Sequence, residues 1–193
     1  LTGFLFKKFI NHPNFDVNYY SDETNISILG NAIKYKNSEA VEILLKNEKI
    51  DINMKCCNKF PPLMLAIGIY SDMKITEMIC KHKNINVNLR DERYDVNAFE
   101  FAISRGNFYS LSCLIKNFTD FNVKSFGCLF YFTLKLHYLK TCEVFLKYYL
   151  EIKKNEKYDE IVNSIKAYKF DSKYREEYLD DFKKVYDEIV GPN

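Results

Sequence analysis

Three histidines and six cysteines are the residues in this chain best equipped for chemistry. His12, His82 and His137 could carry a proton near neutral pH or ligate a metal. Cys56, Cys57, Cys80, Cys113, Cys128 and Cys142 are the candidate nucleophiles. None of the cysteines forms a C-x-x-C pair, and no H-E-x-x-H brings two histidines onto one helical face. A thiolate nucleophile needs a basic neighbour that lowers its pKa. Cys56 and Cys57 lie close to Lys55 and Lys59, which allows reactivity, but no histidine is near to serve as a base. The acidic pairs Asp91/Glu92 and Asp180/Asp181 are adjacent in sequence, so on a helix they face apart and read as solvated charges, not as a carboxylate dyad. Phosphate-binding glycine loops, a nucleophile elbow and a calcium loop are all missing from the sequence. The residues therefore point away from catalysis, and no catalytic, cofactor-binding or metal site is expected.

Composition narrows the class further. The chain has 193 residues, 47% of them apolar, with 16 Phe, 15 Tyr and no Trp. Its 28 basic and 26 acidic residues give a formal charge of +2, without the basic excess of a nucleic-acid binder. No apolar run reaches the ~18–20 residues of a membrane span. The opening Leu1–Ile10 is interrupted by Lys7 and Lys8 and has no cleavage site of a signal peptide. A start at Leu1 without Met reads as a piece of a longer parent or a trimmed chain. Unpaired cysteines in a chain of this size suit reduced thiols, hence an intracellular, cytoplasmic protein.

What must position these residues is a repeat of about 35 residues. The tags NFDVN (14–18), KIDIN (49–53) and NINVN (84–88) recur 35 residues apart, and a weaker DFNV (120–123) follows. Each tag is preceded by an apolar triplet at i, i+3, i+4, the spacing of one helical face. The triplets are Phe6/Phe9/Ile10, Val41/Leu44/Leu45, Ile75/Met78/Ile79 and Leu111/Leu114/Ile115, with Cys142/Phe145/Leu146 as a fifth copy without a tag. Nine residues before the later triplets stands a small residue, Ala32, Ala66, Ala102 or Thr133, closing a short apolar run that suits a second helix. Pro61 and Pro62 suit the start of such a helix.

The unit so defined, loop, short helix, turn, longer helix and closing tag, resembles the ankyrin repeat. PPLMLA (61–66) matches the family's T-P-L-H-x-A core. EAVEILLKNEKIDIN (39–53) matches its second half and closing tag. The resemblance spans Leu1–Leu146, the first copy being a second half alone. The family's histidine is replaced by Gly30, Met64, Glu100 and Tyr131. The resemblance implies an all-α solenoid of helix-turn-helix repeats with short hairpin-like loops, stacked into one continuous core. It also places His12 and His82 at the ends of second helices, where Asn or His tolerates a left-handed backbone, and His137 at the turn glycine between helices. Cys56 takes the place of the loop Asp, and Cys57 then lies exposed near a hairpin tip.

Beyond residue 150 the repeat stops. An amphipathic segment over 154–170 carries Tyr158, Ile161, Val162, Ile165 and Tyr168. Asp171 or Ser172 is suited to cap a second helix bearing Tyr174, Tyr178, Leu179, Phe182, Val185, Tyr186 and Ile189, stopped by Gly191-Pro192. The expected division is a repeat array over 1–150 and a helical hairpin over 151–193, which caps the stack as a diverged repeat or extends its binding surface.

The resemblance implies a non-enzymatic module that binds another protein through its loop tips and the concave face of its first helices. Carried onto this chain, the loop positions are Tyr20, Glu23, Lys55, Cys57, Asn58, Lys59, Arg90, Glu92, Arg93 and Tyr94. The first-helix positions are Lys34, Tyr35, Ile69, Tyr70 and Arg105. Tyr and Arg suit recognition, and the surplus of basic residues suits a partner with acidic patches. No nucleic acid and no membrane insertion is expected, and an adaptor of this kind is monomeric alone. The alternative is an architectural subunit embedded in a large intracellular assembly such as the cytoskeleton.

Overall fold

The structure is a computed structural model. It describes residues 3–10, 12–57, 59–69, 71–118, 121, 126–153, 158–167 and 175–191. Two compact units divide the chain, Leu1–Ala98 and Phe99–Asn193.

In the first unit the second helices are α1 (Gly3–Ile10), α3 (Ser38–Leu45) and α5 (Met73–Cys80). The first helices are α2 (Ile28–Lys34) and α4 (Pro62–Met64), the latter continued by a π-helical turn, Leu65–Ile69. α3 packs on α1, α2 and α5. The apolar triplets supply this core: Ile10, Val41, Leu44, Ile75 and Ile79 are buried. Phe9 departs from the expectation and is 58% exposed. At i+4 from the half-buried Phe6 lies Ile10, which takes the inward position, and Phe9 falls on the helix edge.

The small residues have a role in the backbone. The carbonyls of Ala32, Ala102 and Thr133 accept from the amides of Asn37, Asn107 and Tyr138, five residues on. The amides of Lys36, Gly106 and His137 donate to the carbonyls of Ile33, Ile103 and Leu134. Together these form the Schellman end of a helix, whose closing residue must be left-handed. Lys36 (φ 51°), Gly106 (φ 62°) and His137 (φ 53°) are those residues. At Gly106 a Cβ would also lie 2.5 Å from the Tyr138 ring. The next residue starts the second helix at once: Asn37 and Asn107 accept from the amides of Ala40 and Ser110, each at 3.0 Å. In the third copy Asp72 caps α5 in the same way, at 2.9 Å from the Ile75 amide.

The loops are hairpins. β1 (Tyr20–Ser21) pairs antiparallel with β2 (Ile26–Ser27). The Cys56 amide donates to Phe60 and the Asp91 amide to Val96, closing two further hairpins at the equivalent place. Left-handed Asn25, Lys59 and Asp95 turn each chain back. Neighbouring hairpins are joined where the Ser27 amide donates to the Cys56 carbonyl at 2.7 Å. Gly30 stands beside this bond: a Cβ there would lie 2.3 Å from the Cys56 oxygen, so no larger residue fits.

The tags form a ladder. Asn18 Nδ2 donates to the Lys49 carbonyl and its Oδ1 accepts from the Asp51 amide, both at 2.8 Å. Asn53 repeats this on Asn84 and Asn86, again at 2.8 Å. Within each tag, Asp16, Asp51 and Asn86 accept from the amide two residues on, a local turn that orients the bridging asparagine.

The second unit contains most of α6 (Ala98–Ser104), then α7 (Phe108–Asn117), α8 (Phe126–Lys135), α9 (Leu139–Ile152), α10 (Tyr158–Ala167) and α11 (Arg175–Val190). Its core is aromatic. Phe99 stacks on Phe121 at 4.3 Å, and Phe130 lies 4.4 Å from Phe145 and 5.3 Å from Phe182. α10 packs on α8, and α11 on α8 and α9. They bury Ile161, Val162 and Ile165 from α10, and Tyr178, Leu179, Phe182, Val185 and Tyr186 from α11. Tyr168, Asp171, Ser172 and Tyr174 lie outside the described residues.

A direct test of the ladder is Asn53→Ala, which removes two inter-repeat hydrogen bonds. Unfolding in urea should show a loss of about 2 kcal/mol. Asn53→Asp should lose less, because a carboxylate still accepts from the Asn86 amide but cannot donate to the Asn84 carbonyl.

Candidate protein-interaction surface

The loop-tip residues of the first unit are tied to one another across neighbouring hairpins. Lys55 Nζ donates to Glu92 Oε1, and Lys59 lies 3.6 Å from Glu92 Oε2. The hydrogen bond from Lys55, then its charge, holds the Glu92 carboxyl below the usual range. The bridge is therefore intact above the ordinary carboxylate pKa and opens as pH falls through the depressed value. Arg90 is turned inward onto Asp95, with Nε 2.8 Å from Oδ1 and further donation to the backbone carbonyl. The basic surplus on the loops is thus largely neutralised within the surface.

Other cations lie on aromatic rings. Arg93 sits 5.6 Å from the centre of the Phe60 ring, and Tyr94 packs beside the same ring at 6.3 Å. Lys34 lies 5.7 Å from the Tyr35 ring, and in the second unit Arg105 lies 4.9 Å from Phe101. Tyr35 and Tyr94 are 72% and 57% exposed. Glu23 is exposed and Tyr20 half-buried at the base of the first hairpin. Asn58, Tyr70 and the side chain of Ile69 lie outside the described residues.

Four expectations need correction. Cys57 is buried, with 6% exposure. Its hairpin closes at Phe60, one residue earlier than its neighbours do, and Cys57 bridges back to Ile26 of the preceding loop. The tip moves to residue 59. Its neighbour Cys56 is buried and its thiol is pushed well up by burial; Cys142 is pushed up to about 12 for the same reason. Both are poor nucleophiles.

Asp91 is not a solvated charge. It is 3% exposed, and its Oδ1 accepts from the amides of Arg93 and Tyr94 at 2.7 and 2.8 Å. That carboxylate fixes the turn which presents both side chains. A polar residue closing the first half of a hairpin was the available signal, since Ser21 and Cys56 precede Asp91 at the same 35-residue spacing.

His12 and His82 are not left-handed. Their Nδ1 atoms accept from the amides of Asn14 and Asn84, both at 3.3 Å, as Asn47 Oδ1 does from Lys49 at 2.9 Å. Each ring closes the turn that leads into a tag. Burial pushes the His82 imidazole down, aided by Lys83. The histidines are joined to different loops, and the described residues bring no three His, Cys, Asp or Glu together for a metal ion.

Paired helices repeating at a fixed period, with hydrogen-bonded hairpins between them, define a helical repeat protein. Comparison with protein families matches residues 29–125 to ankyrin repeats, in three copies, just over half of the chain. The chain belongs to the ankyrin repeat family. Among curated proteins no match was found. No helix of the described residues is long and apolar enough to cross a membrane.

Asp91→Ala should speed amide exchange at Arg93 and Tyr94 and cost about 2 kcal/mol, while Asp91→Asn, which keeps Oδ1, should be milder. Thiol labelling of the native protein should modify the half-exposed Cys113 well before Cys57. Labelling of Cys57 at the rate of a free thiol would contradict its burial.

Proposed function

We propose that the chain is a non-enzymatic protein–protein interaction module, binding its partner through the loop tips and the exposed side of its first helices. Ankyrin repeats are in general protein-interaction modules, and this reading assigns the role to particular residues. The observation that carries it is the held geometry of exposed aromatic and cationic groups: Arg93 and Tyr94 on Phe60, and Lys34 on Tyr35. Side chains ordered before contact lose little entropy on binding, and Tyr and Arg are the residues that dominate interface energies. Lys34, Arg93 and Arg105 are the exposed cations that acidic groups of the partner would meet. Lys55, Lys59 and Glu92 would set orientation and rate more than affinity.

The near-neutral charge supports a protein partner over a nucleic acid. Among the described residues, five of the six cysteines are free thiols, which suits a reducing, cytoplasmic compartment. α10 and α11, with their apolar faces spent on α8 and α9, fit a cap better than a second binding surface.

The test is affinity capture with the intact chain, followed by direct binding of the retained protein to purified variants. Tyr35→Ala combined with Arg93→Ala and Tyr94→Ala should weaken binding at least ~10-fold while circular dichroism stays unchanged. Equal affinity of the folded variant would place the interface elsewhere.

A further inference from the structure

The turn between α8 and α9 departs from the other turns that join a first helix to a second. In those turns the residue before the second helix is Asn37, Asp72 or Asn107. Its side chain accepts from the backbone amide three residues on. Before α9 the residue is Tyr138, whose side chain makes no such bond. An aromatic at that position gives up a cap of about 1 kcal/mol. The Tyr138 ring lies against Gly106, where a Cβ would stand 2.5 Å from it, so this turn adjoins the one between α6 and α7. Local rules are broken chiefly where a function is served.

The sequence around Tyr138 is KLHYLK (135–140). Leu136 and Leu139 are each 42% exposed, and Tyr109 on the adjoining turn is 60% exposed. The half-buried Phe108 has its ring 4.0 Å from that of Tyr109. Lys135 and Lys140, both exposed, bracket the leucines. The carboxylates at the edge are each shared between cations. Glu143 holds Lys140 and Lys147, at 2.6 and 2.7 Å. Asp181 holds Lys184 at 3.1 Å and has His137 at 3.9 Å. Between 104 and 142 the sequence sets one acidic residue, Asp120, against Arg105, Lys116, Lys124, Lys135 and Lys140. The surface is therefore apolar with a surplus of positive charge. That combination suits the boundary between water and an anionic bilayer. Leucine and tyrosine leave water there, and lysine stems reach back to the phosphates. Side chains carried on turns enter a fluid interface singly, whereas a protein partner would need a matching cavity for each.

We propose that the adjoining turns α6–α7 and α8–α9 form a peripheral docking surface for an anionic lipid bilayer. Tyr109, Leu136 and Leu139 enter its headgroup region, and Lys135 and Lys140 meet its negative charge. The contact is superficial and needs no membrane-crossing helix. Apart from Arg105 at its edge, this surface shares no residue with the protein-binding surface proposed above and does not rest on it.

The test sediments the intact chain with phosphatidylcholine vesicles, with and without phosphatidylserine. Binding should be at least ~10-fold stronger with phosphatidylserine and should weaken as salt is raised. Tyr109→Ser combined with Leu136→Ser and Leu139→Ser should lower it at least ~10-fold, and Lys135→Glu combined with Lys140→Glu should do the same. Circular dichroism checks that both variants are folded. The chain has no tryptophan, so Leu139→Trp gives a second readout that survives misfolding of the serine variant. Its emission should move to the blue on the phosphatidylserine vesicles, while that of Tyr94→Trp at the loop tips should stay. Absence of vesicle binding would overturn the proposal, as would undiminished binding by either folded variant or an equal shift at both tryptophans. Binding of an acidic soluble protein through Leu136 and Leu139, by a chain that ignores vesicles, would also overturn it, because the occupant would then be a protein.

Discussion

One side chain sets the spacing between loops of the first unit: the asparagine that closes each tag. A loop running over a stack of helices leaves backbone donors and acceptors that its own repeat cannot pair. A carboxamide both donates and accepts, so one residue can satisfy a carbonyl and an amide of the next loop together. Asn18 and Asn53 do this at matching distances. Aspartate offers no donor, and alanine offers neither group. Once the loops are held at this separation, the hairpins fall into register, and Ser27 reaches Cys56. Stability in such a stack is a sum over neighbours, and the asparagine is the polar part of each neighbour term.

The repeat was legible because its parts are local and periodic. Apolar triplets mark the buried face of the second helices, and Val41, Leu44, Ile75, Ile79, Leu111 and Leu114 are buried as that spacing requires. The small residues were legible as positions but not as roles. Ala32 and Ala102 matter for their carbonyls, which terminate the first helix, as much as for their size. Asn37, Asp72 and Asn107 also recur at 35 residues, and their capping role follows from that period.

What escaped the sequence depends on neighbours in space. Cys57 becomes buried because its backbone pairs with a loop 31 residues earlier. Asp91 looks like a surface charge until the hairpin folds around its carboxylate. The lysines at 55 and 59 look available until Glu92 is placed beside them. Counting charges on a surface therefore overstated its basic character. The rings of Phe60 and Tyr35 were equally hidden as supports for cations, since only the fold brings Arg93 over a residue 33 positions away.

The hairpin that closes early at Phe60 has a counterpart within its own repeat. From Cys56 to Phe60 the chain is one residue shorter than from Ser21 to Ile26 or from Asp91 to Val96. From Ala66 to Asp72 it is one residue longer than from Ala32 to Asn37 or from Ala102 to Asn107. The surplus residue is absorbed in the π-helical turn Leu65–Ile69. A deletion at the loop and an insertion at the helix end cancel before the next tag is reached. The 35-residue spacing from tag to tag is thereby kept through this repeat, and the loops stay in register for the asparagine bridges although the two segments differ in length from their neighbours.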